Sequence, residues 1–159
     1  MLVEPNGRRC ACGSRGCLET VTGKTSIIKT VQQALLKAPF SPPFSTKTAI
    51  REITLDQIVA AAQQGHPVCV EQLQQVGATL GLVVGDLVNL FNPELIIIGG
   101  YSTDMVLQIL PELRTSTRAR SKLISQEDTV EIRPSQFGAF SSVIGAAALV
   151  FDQLSQAVF

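Results

Sequence analysis

Apolar residues recur every three or four positions over long stretches of the chain, which is the spacing of an amphipathic helix. The longest such stretch is 67–91, and Pro67 suits the first turn of a helix because the N–H it lacks needs no partner there. Pro111 is expected to bend or split the helix that contains it. The same periodicity predicts four further helices, at 26–37, 55–64, 103–122 and 142–156.

Two shorter runs predict β-strands. Leu95–Ile98 is fully apolar and lies between Pro93 and Gly99, which predicts a central parallel strand buried on both faces. Val130 and Ile132 predict a second strand. Strands that alternate with helices predict an α/β fold, and 159 residues are enough for one domain or a large lobe with its own core.

Three glycines, Gly77, Gly81 and Gly85, interrupt the longest helix at intervals of four residues. Each glycine destabilises the helix by up to about 1 kcal/mol relative to alanine. Three glycines aligned on one face are therefore not expected by chance. Their alignment leaves a stripe without side chains on one face. The stripe predicts the close approach of another backbone, from a helix, a strand or a second subunit.

Residues 38–53 are rich in proline, serine and threonine. This composition predicts a surface insertion, and it favours a mobile loop over an ordered one. Phe40 and Phe44 are the side chains that could pin the segment to the body of the fold.

Composition and charge limit the possible functions. Apolar residues make up 45% of the chain and charged residues 16%, which suggests that another lobe or subunit covers part of the surface. The formal net charge is zero, so no overall attraction to nucleic acid or to an anionic membrane is expected. A membrane-spanning helix needs about 18 consecutive apolar residues, and no uninterrupted apolar run is that long. No signal peptide is visible. We therefore expect a cytoplasmic protein with reduced thiols.

Three of the four cysteines, Cys10, Cys12 and Cys17, lie within eight residues. Thiolates so close together can converge on one soft cation such as Zn²⁺, which prefers four ligands in a tetrahedron. The alternatives are a disulfide with one free thiol, and a reduced loop without metal. His66, the only histidine, is expected to be an exposed residue at a helix start rather than the fourth ligand. Cys69 is expected to be a small core residue.

The run Cys10–Glu19 reads Cys-x-Cys-Gly-x-x-Gly-Cys-Leu-Glu and resembles the signature of the ROK family of repressors, open reading frames and sugar kinases. Three further blocks resemble the family in the same order, at 3–9, 92–100 and 144–150. The resemblance implies an α/β fold, namely the C-terminal lobe of an actin-like (ribonuclease-H-like) ATPase and sugar kinase fold, with a zinc-binding loop at 10–19. Residues 1–159 would then be one lobe, without the N-terminal half of the family fold.

The resemblance also implies roles for single residues. Glu19 would accept hydrogen bonds from sugar hydroxyls, as a carboxylate can; otherwise it is an acid placed favourably at a helix N-terminus. Gly99 and Gly100 would contact the adenosine of ATP in a kinase; otherwise they form a tight turn. Tyr101 stands where many kinases carry a small residue, which argues against nucleotide binding.

Other functional parts of the family precede the matching segment. The fourth zinc ligand is a histidine that the family's spacing puts just before Met1. The phosphate-binding loop and catalytic Asn-Asp pair of the kinases, and the helix-turn-helix of the repressors, lie further upstream. We therefore assign no catalytic residue to this chain and expect no sugar phosphorylation by it alone.

Together these features predict the effector-binding and dimerisation lobe of a sugar-responsive transcriptional regulator. Its partners would be a small sugar or amino-sugar effector and a second copy in a homodimer or higher oligomer. DNA would be bound only through a domain outside these residues. The alternatives are the C-terminal lobe of an ATP-dependent sugar kinase, which would use ATP and Mg²⁺, and a truncated fragment without independent activity. The insertion at 38–53, Tyr101 and the closing block at 144–150 favour the regulator.

Overall fold

The computed structural model describes residues 1–38, 42–121 and 130–156 as a mixed α/β fold. The helices are α1 (Glu19–Thr22), α2 (Lys24–Lys37), α3 (Lys47–Arg51), α4 (Leu55–Gln63), α5 (Pro67–Phe91), α6 (Thr103–Arg120) and α7 (Ser141–Gln156). The strands are β1 (Leu95–Ile98) and β2 (Glu131–Pro134). All five predicted helices and both predicted strands are confirmed. Lys122, the predicted end of the helix at 103–122, lies outside the described residues.

Helices α5 and α6 form the centre of the fold, and the glycine stripe is where they meet. A β-carbon built on Gly77 would lie 2.5 Å from the carbonyl oxygen of Ile109, and one on Gly81 would lie 2.5 Å from that of Leu113. The predicted close approach is therefore confirmed, and its partner is α6 of the same chain. The stripe consequently offers no argument for a contact between subunits. Helix α6 continues through Pro111 as one element.

The two strands pair in parallel, with Ile96 opposite Ile132. One face of this sheet packs on α5 and α6, where Ile132 is only 3% exposed. On the other face Leu95 is 44% and Ile97 61% exposed. The prediction that β1 is buried on both faces was therefore wrong for this chain, because a continuous apolar run does not reveal whether a second layer is present.

A second part of the core lies where α2, α4 and α5 meet. Helix α4 begins with a capping box, in which the Thr54 side chain accepts from the Gln57 backbone and the Gln57 side chain accepts from the Thr54 backbone. The predicted insertion at 38–53 precedes α4. It differs from the mobile surface loop that was predicted, because Phe44, Ile50 and Ile53 are all buried. Phe44 thus pins the segment to the core. Phe40 lies outside the described residues.

Helix α5 has the length and the apolar composition of a membrane-crossing helix. Its place in the fold accounts for both properties, because α1, α2, α4 and α6 all pack against it. Cys69, Leu73 and Val88 on this helix are almost completely buried. The prediction that Cys69 is a small core residue is confirmed, and burial raises the pKa of its thiol to about 11.

Helix α7 is the least buried helix of the described chain. It packs mainly against the turn Gly138–Phe140 that leads into it. Its apolar side chains remain largely exposed, among them Val143 and Phe151. Part of the high apolar content of the sequence therefore consists of exposed side chains on α7.

Candidate functional site

The cysteine loop is held by two short antiparallel contacts, one between Leu2 and Cys17 and one between Arg9 and Arg15. Gly13 and Gly16 have φ angles of +92° and +66°, which side-chain-bearing residues rarely adopt. A β-carbon on Gly16 would also overlap the carbonyl group of Glu4. The loop therefore needs its glycines to fold back on itself and bring the cysteines together.

The three thiols Cys10, Cys12 and Cys17 converge, with their sulfur atoms all within 4.8 Å of one another. The Sγ atoms of Cys12 and Cys17 are 3.5 Å apart, and all three cysteines are free. Thiolates bound at about 2.3 Å to a tetrahedral zinc would stand about 3.8 Å apart, so this donor set fits such an ion. Within the described residues the cluster holds only these cysteines, so a tetrahedral ion bound there would take its fourth ligand from outside the cluster.

The thiols of Cys12 and Cys17 differ in acidity. The pKa of Cys12 is lowered to about 7, first because the backbone N–H of Ser14 donates to its sulfur and then because the thiol of Cys17 does so. The pKa of Cys17 is raised to about 11, chiefly because its thiol donates to Cys12 and secondly by burial. Without metal, Cys12 therefore becomes a thiolate at a lower pH than Cys17.

His66 is not part of the cysteine cluster in the described structure. It precedes α5 and is only 7% exposed, with its ring edge-on to Phe44 at a centroid distance of 5.4 Å. The prediction that it is exposed was wrong, because Phe44 folds over it from a segment expected to be a loop. That His66 is not the fourth ligand stays a prediction.

Glu19 begins α1, two residues after the last cysteine. The side chain lies along α1 against Gly23, where a β-carbon would overlap the carboxylate. Glu19 is exposed and faces a cleft of about 730 Å³.

This cleft brings together residues that the sequence predicts separately. Glu19 lines one side of it, and Gly99 and Gly100, in the turn after β1, line another. Lys24 and Asp56 add a positive and a negative side chain, which sequence reasoning missed because no local pattern places them here. A smaller cavity of about 250 Å³ between α2 and α5 contains none of the predicted site residues.

Tyr101 connects the two sides of the cleft. Its backbone belongs to the turn after β1, and its hydroxyl donates a hydrogen bond to the carbonyl of Thr22 at the end of α1. Burial raises the pKa of the phenol above its ordinary value, and the negative charge of Glu19 raises it further. This contact spans 79 positions of sequence, so periodicity could not reveal it.

The model of the ROK family matches residues 1–153. The chain belongs to the ROK family. The DNA-binding transcriptional repressor Mlc of Escherichia coli is 31% identical over 152 residues, which are 96% of this chain and 36% of Mlc. The xylose repressor of Caldicellulosiruptor bescii is 30% identical over 145 residues, which are 91% of this chain and 36% of that repressor.

Solved structures of the ROK family share the fold. A ROK family glucokinase from Streptomyces griseus, solved in complex with glucose and AMPPNP, superposes with a TM-score of 0.80 and 26% identity. The superposition covers 94% of this chain and 49% of the glucokinase. The chain thus has the mixed α/β fold of ROK sugar kinases and repressors, and it spans about a third to a half of the length of these relatives.

Proposed function

We propose that this ROK chain is the effector-binding and dimerisation lobe of a sugar-responsive transcriptional regulator. The observation that carries the proposal is the convergence of Glu19, directly after the cysteine loop, with the Gly99–Gly100 turn on one cleft. The repressor relatives, matched over more than nine-tenths of this chain, support the same reading. DNA contact would require a domain outside these residues, and we propose a cytoplasmic location and a homodimer or higher oligomer.

The cysteine loop is proposed as a structural zinc-binding loop. Cys10, Cys12 and Cys17 would hold Zn²⁺ as thiolates, and the ion would supply folding energy and rigidity rather than chemistry. Because Glu19 follows Cys17 by two residues, a rigid loop sets the position of its carboxylate.

Glu19 is proposed as the acceptor for hydroxyl groups of a small sugar or amino sugar. A carboxylate offers two oxygens that accept hydrogen bonds and can take two neighbouring donors. Its exposure on the cleft wall leaves it accessible to such a ligand.

The second candidate function is the C-terminal lobe of an ATP-dependent sugar kinase. The likeness to the Streptomyces griseus glucokinase favours it, since that structure contains glucose and AMPPNP. In this reading Gly99 and Gly100 would receive the nucleotide, with ATP and Mg²⁺ as cofactors. A fragment without independent activity is the third candidate.

The metal content of the purified protein tests the zinc assignment. We expect about one zinc per chain, near-complete loss of it in Cys12→Ser, and retention in the control Cys69→Ala, whose thiol is buried elsewhere in the core. Absence of zinc from the folded wild-type protein would contradict the assignment.

Calorimetric titration with glucose, xylose and N-acetylglucosamine tests the effector assignment. We expect one of these sugars to bind, and Glu19→Gln to weaken its binding at least about tenfold because a charged acceptor becomes a neutral amide. Equal affinity of the variant, or no binding of any sugar to the zinc-loaded chain, would contradict it.

A further inference from the structure

The cavity of about 250 Å³ between α2 and α5 shares no lining residue with the cleft that contains Glu19. We propose that this cavity is a second ligand site, which binds a small zwitterion of the α-amino acid class through Glu4 and Arg8. The proposed function makes no use of the cavity, so the inference does not depend on it. Pockets for drug-sized ligands measure about 300–1,000 Å³, and a smaller cavity matches a ligand as small as an amino acid.

Glu4 and Arg8 place opposite charges on this one cavity. In the part of the chain that the structure describes, the two side chains form no ion pair with each other. Both are exposed, so a ligand can reach them. A guanidinium can donate two parallel hydrogen bonds to a carboxylate, and a carboxylate can accept hydrogen bonds from an ammonium group. A molecule that carries both of these groups, as an α-amino acid does, would complement both side chains at once.

Backbone hydrogen bonds to Gly16 hold the two charged residues in place. The N–H of Glu4 donates to the carbonyl of Gly16, and the N–H of Gly16 donates to the carbonyl of Arg8. The guanidinium of Arg8 also donates to the carbonyl of Thr20 in α1. Because a guanidinium has five N–H groups, others remain for the carboxylate of a ligand. Groups that are already held in position lose less conformational freedom when a ligand binds.

The rest of the cavity matches the remainder of such a ligand. Its apolar wall includes Ile27 and Val76, which are only 2% and 4% exposed. Its other polar lining residues are uncharged, namely Thr30, Gln33, Gln72 and Gln75. The apolar wall would cover the carbon atoms of the amino acid. The glutamine amides, which can both donate and accept hydrogen bonds, would contact a polar side chain of the ligand.

NMR chemical-shift titration of the purified chain tests the ligand class. The probes are L-serine, L-asparagine and L-glutamine, each compared with its N-acetyl derivative and its C-terminal amide, which lack one of the two charges. We expect at least one of the amino acids to bind with a Kd of about 1 mM or tighter, and its derivatives to bind at least about tenfold more weakly. No binding of any amino acid at about 10 mM, or equal binding of the derivatives, overturns the inference.

Variants of the charged residues test the place of binding. Glu4→Gln and Arg8→Gln should each weaken binding at least about tenfold. The matched control is Glu71→Gln, because Glu71 is exposed on α5 but does not line the cavity, and it should bind as the wild type does. Circular dichroism checks that the variants are folded, and Glu4→Gln alone decides the outcome where Arg8→Gln is not. Binding that persists in Glu4→Gln and is lost in Glu19→Gln would place the ligand in the cleft and overturn the inference.

Discussion

The carbonyl oxygen of Leu113 lies 2.5 Å from the position that a β-carbon on Gly81 would occupy. The two helices therefore meet backbone to backbone at this point. The hydroxyl of Thr117 closes the contact, since it donates to the carbonyls of both Gly81 and Leu113, at 3.2 and 2.8 Å. A backbone carbonyl in a hydrogen-bonded helix cannot rotate away as a flexible side chain can.

Gly81→Ala is therefore expected to destabilise the protein although alanine is the better helix former. Overpacking costs about 1–3 kcal/mol, and the gain in helix propensity returns at most about 1 kcal/mol. We expect the free energy of unfolding, measured by urea denaturation, to fall by about 1–2 kcal/mol. The matched control is Gly145→Ala in α7, where nothing lies within 4 Å of the new methyl group. That variant should be unchanged or more stable, and equal effects at both sites would contradict the steric explanation.

Periodicity predicted the elements of this fold well, because helix and strand spacing are local properties. The capping box at Thr54 and the bounds of α5 could be read from neighbouring residues. Burial could not be read in the same way. Leu95–Ile98 has the sequence of a strand covered on both faces, yet Ile97 is 61% exposed. Whether a second layer covers a strand depends on elements that the strand's own sequence does not encode.

The candidate site likewise has a part that the sequence could predict and a part that it could not. The cysteine cluster lies within one short loop, so residue type and spacing were enough to predict it. The cleft is built from α1, the start of α4 and the turn after β1, which are far apart in sequence. The bond from Tyr101 to Thr22 is a tertiary contact, and only the fold shows that a residue noted as a departure from the kinases bridges the two walls.

The single tyrosine makes its own ionisation measurable. Burial raises the pKa of Tyr101, so an absorbance titration of the folded protein should have its midpoint above the ordinary value of about 10. The same titration in urea should return to about 10. Because the folded state holds the proton more tightly, stability is fully present below pH of about 10 and is lost as pH rises through the folded pKa. A folded midpoint equal to that in urea would contradict the burial of the phenol.

The lowered pKa of Cys12 predicts selective alkylation of the metal-free protein. Thiolates react with iodoacetamide and thiols do not, so Cys12 should be modified half-maximally near pH 7. Cys17 and Cys69 should react only at much higher pH, since the pKa of each is raised to about 11. Peptide mass spectrometry measures the site of modification, and added zinc should protect Cys12. Equal modification of all three at pH 7 would contradict this ordering.

Helix α7 predicts that the chain associates through an apolar surface. Val143 is 68% exposed and Phe151 73%, and Asp152 is the only charged residue between Ser141 and Gln156. Soluble monomers rarely leave so continuous an apolar surface uncovered. We therefore expect the molar mass from light scattering to rise above that of a monomer as protein concentration increases.

Phe151→Glu places a charge in the middle of this surface and should shift the protein toward monomer, because association would then bury an unpaired carboxylate. Leu36→Glu is the matched control, since Leu36 is also exposed, at 45%, but lies on α2. If α7 is the contact, only Phe151→Glu changes the molar mass at a given concentration. A monomeric wild type at high concentration, or the same shift in both variants, would exclude α7 as an association surface.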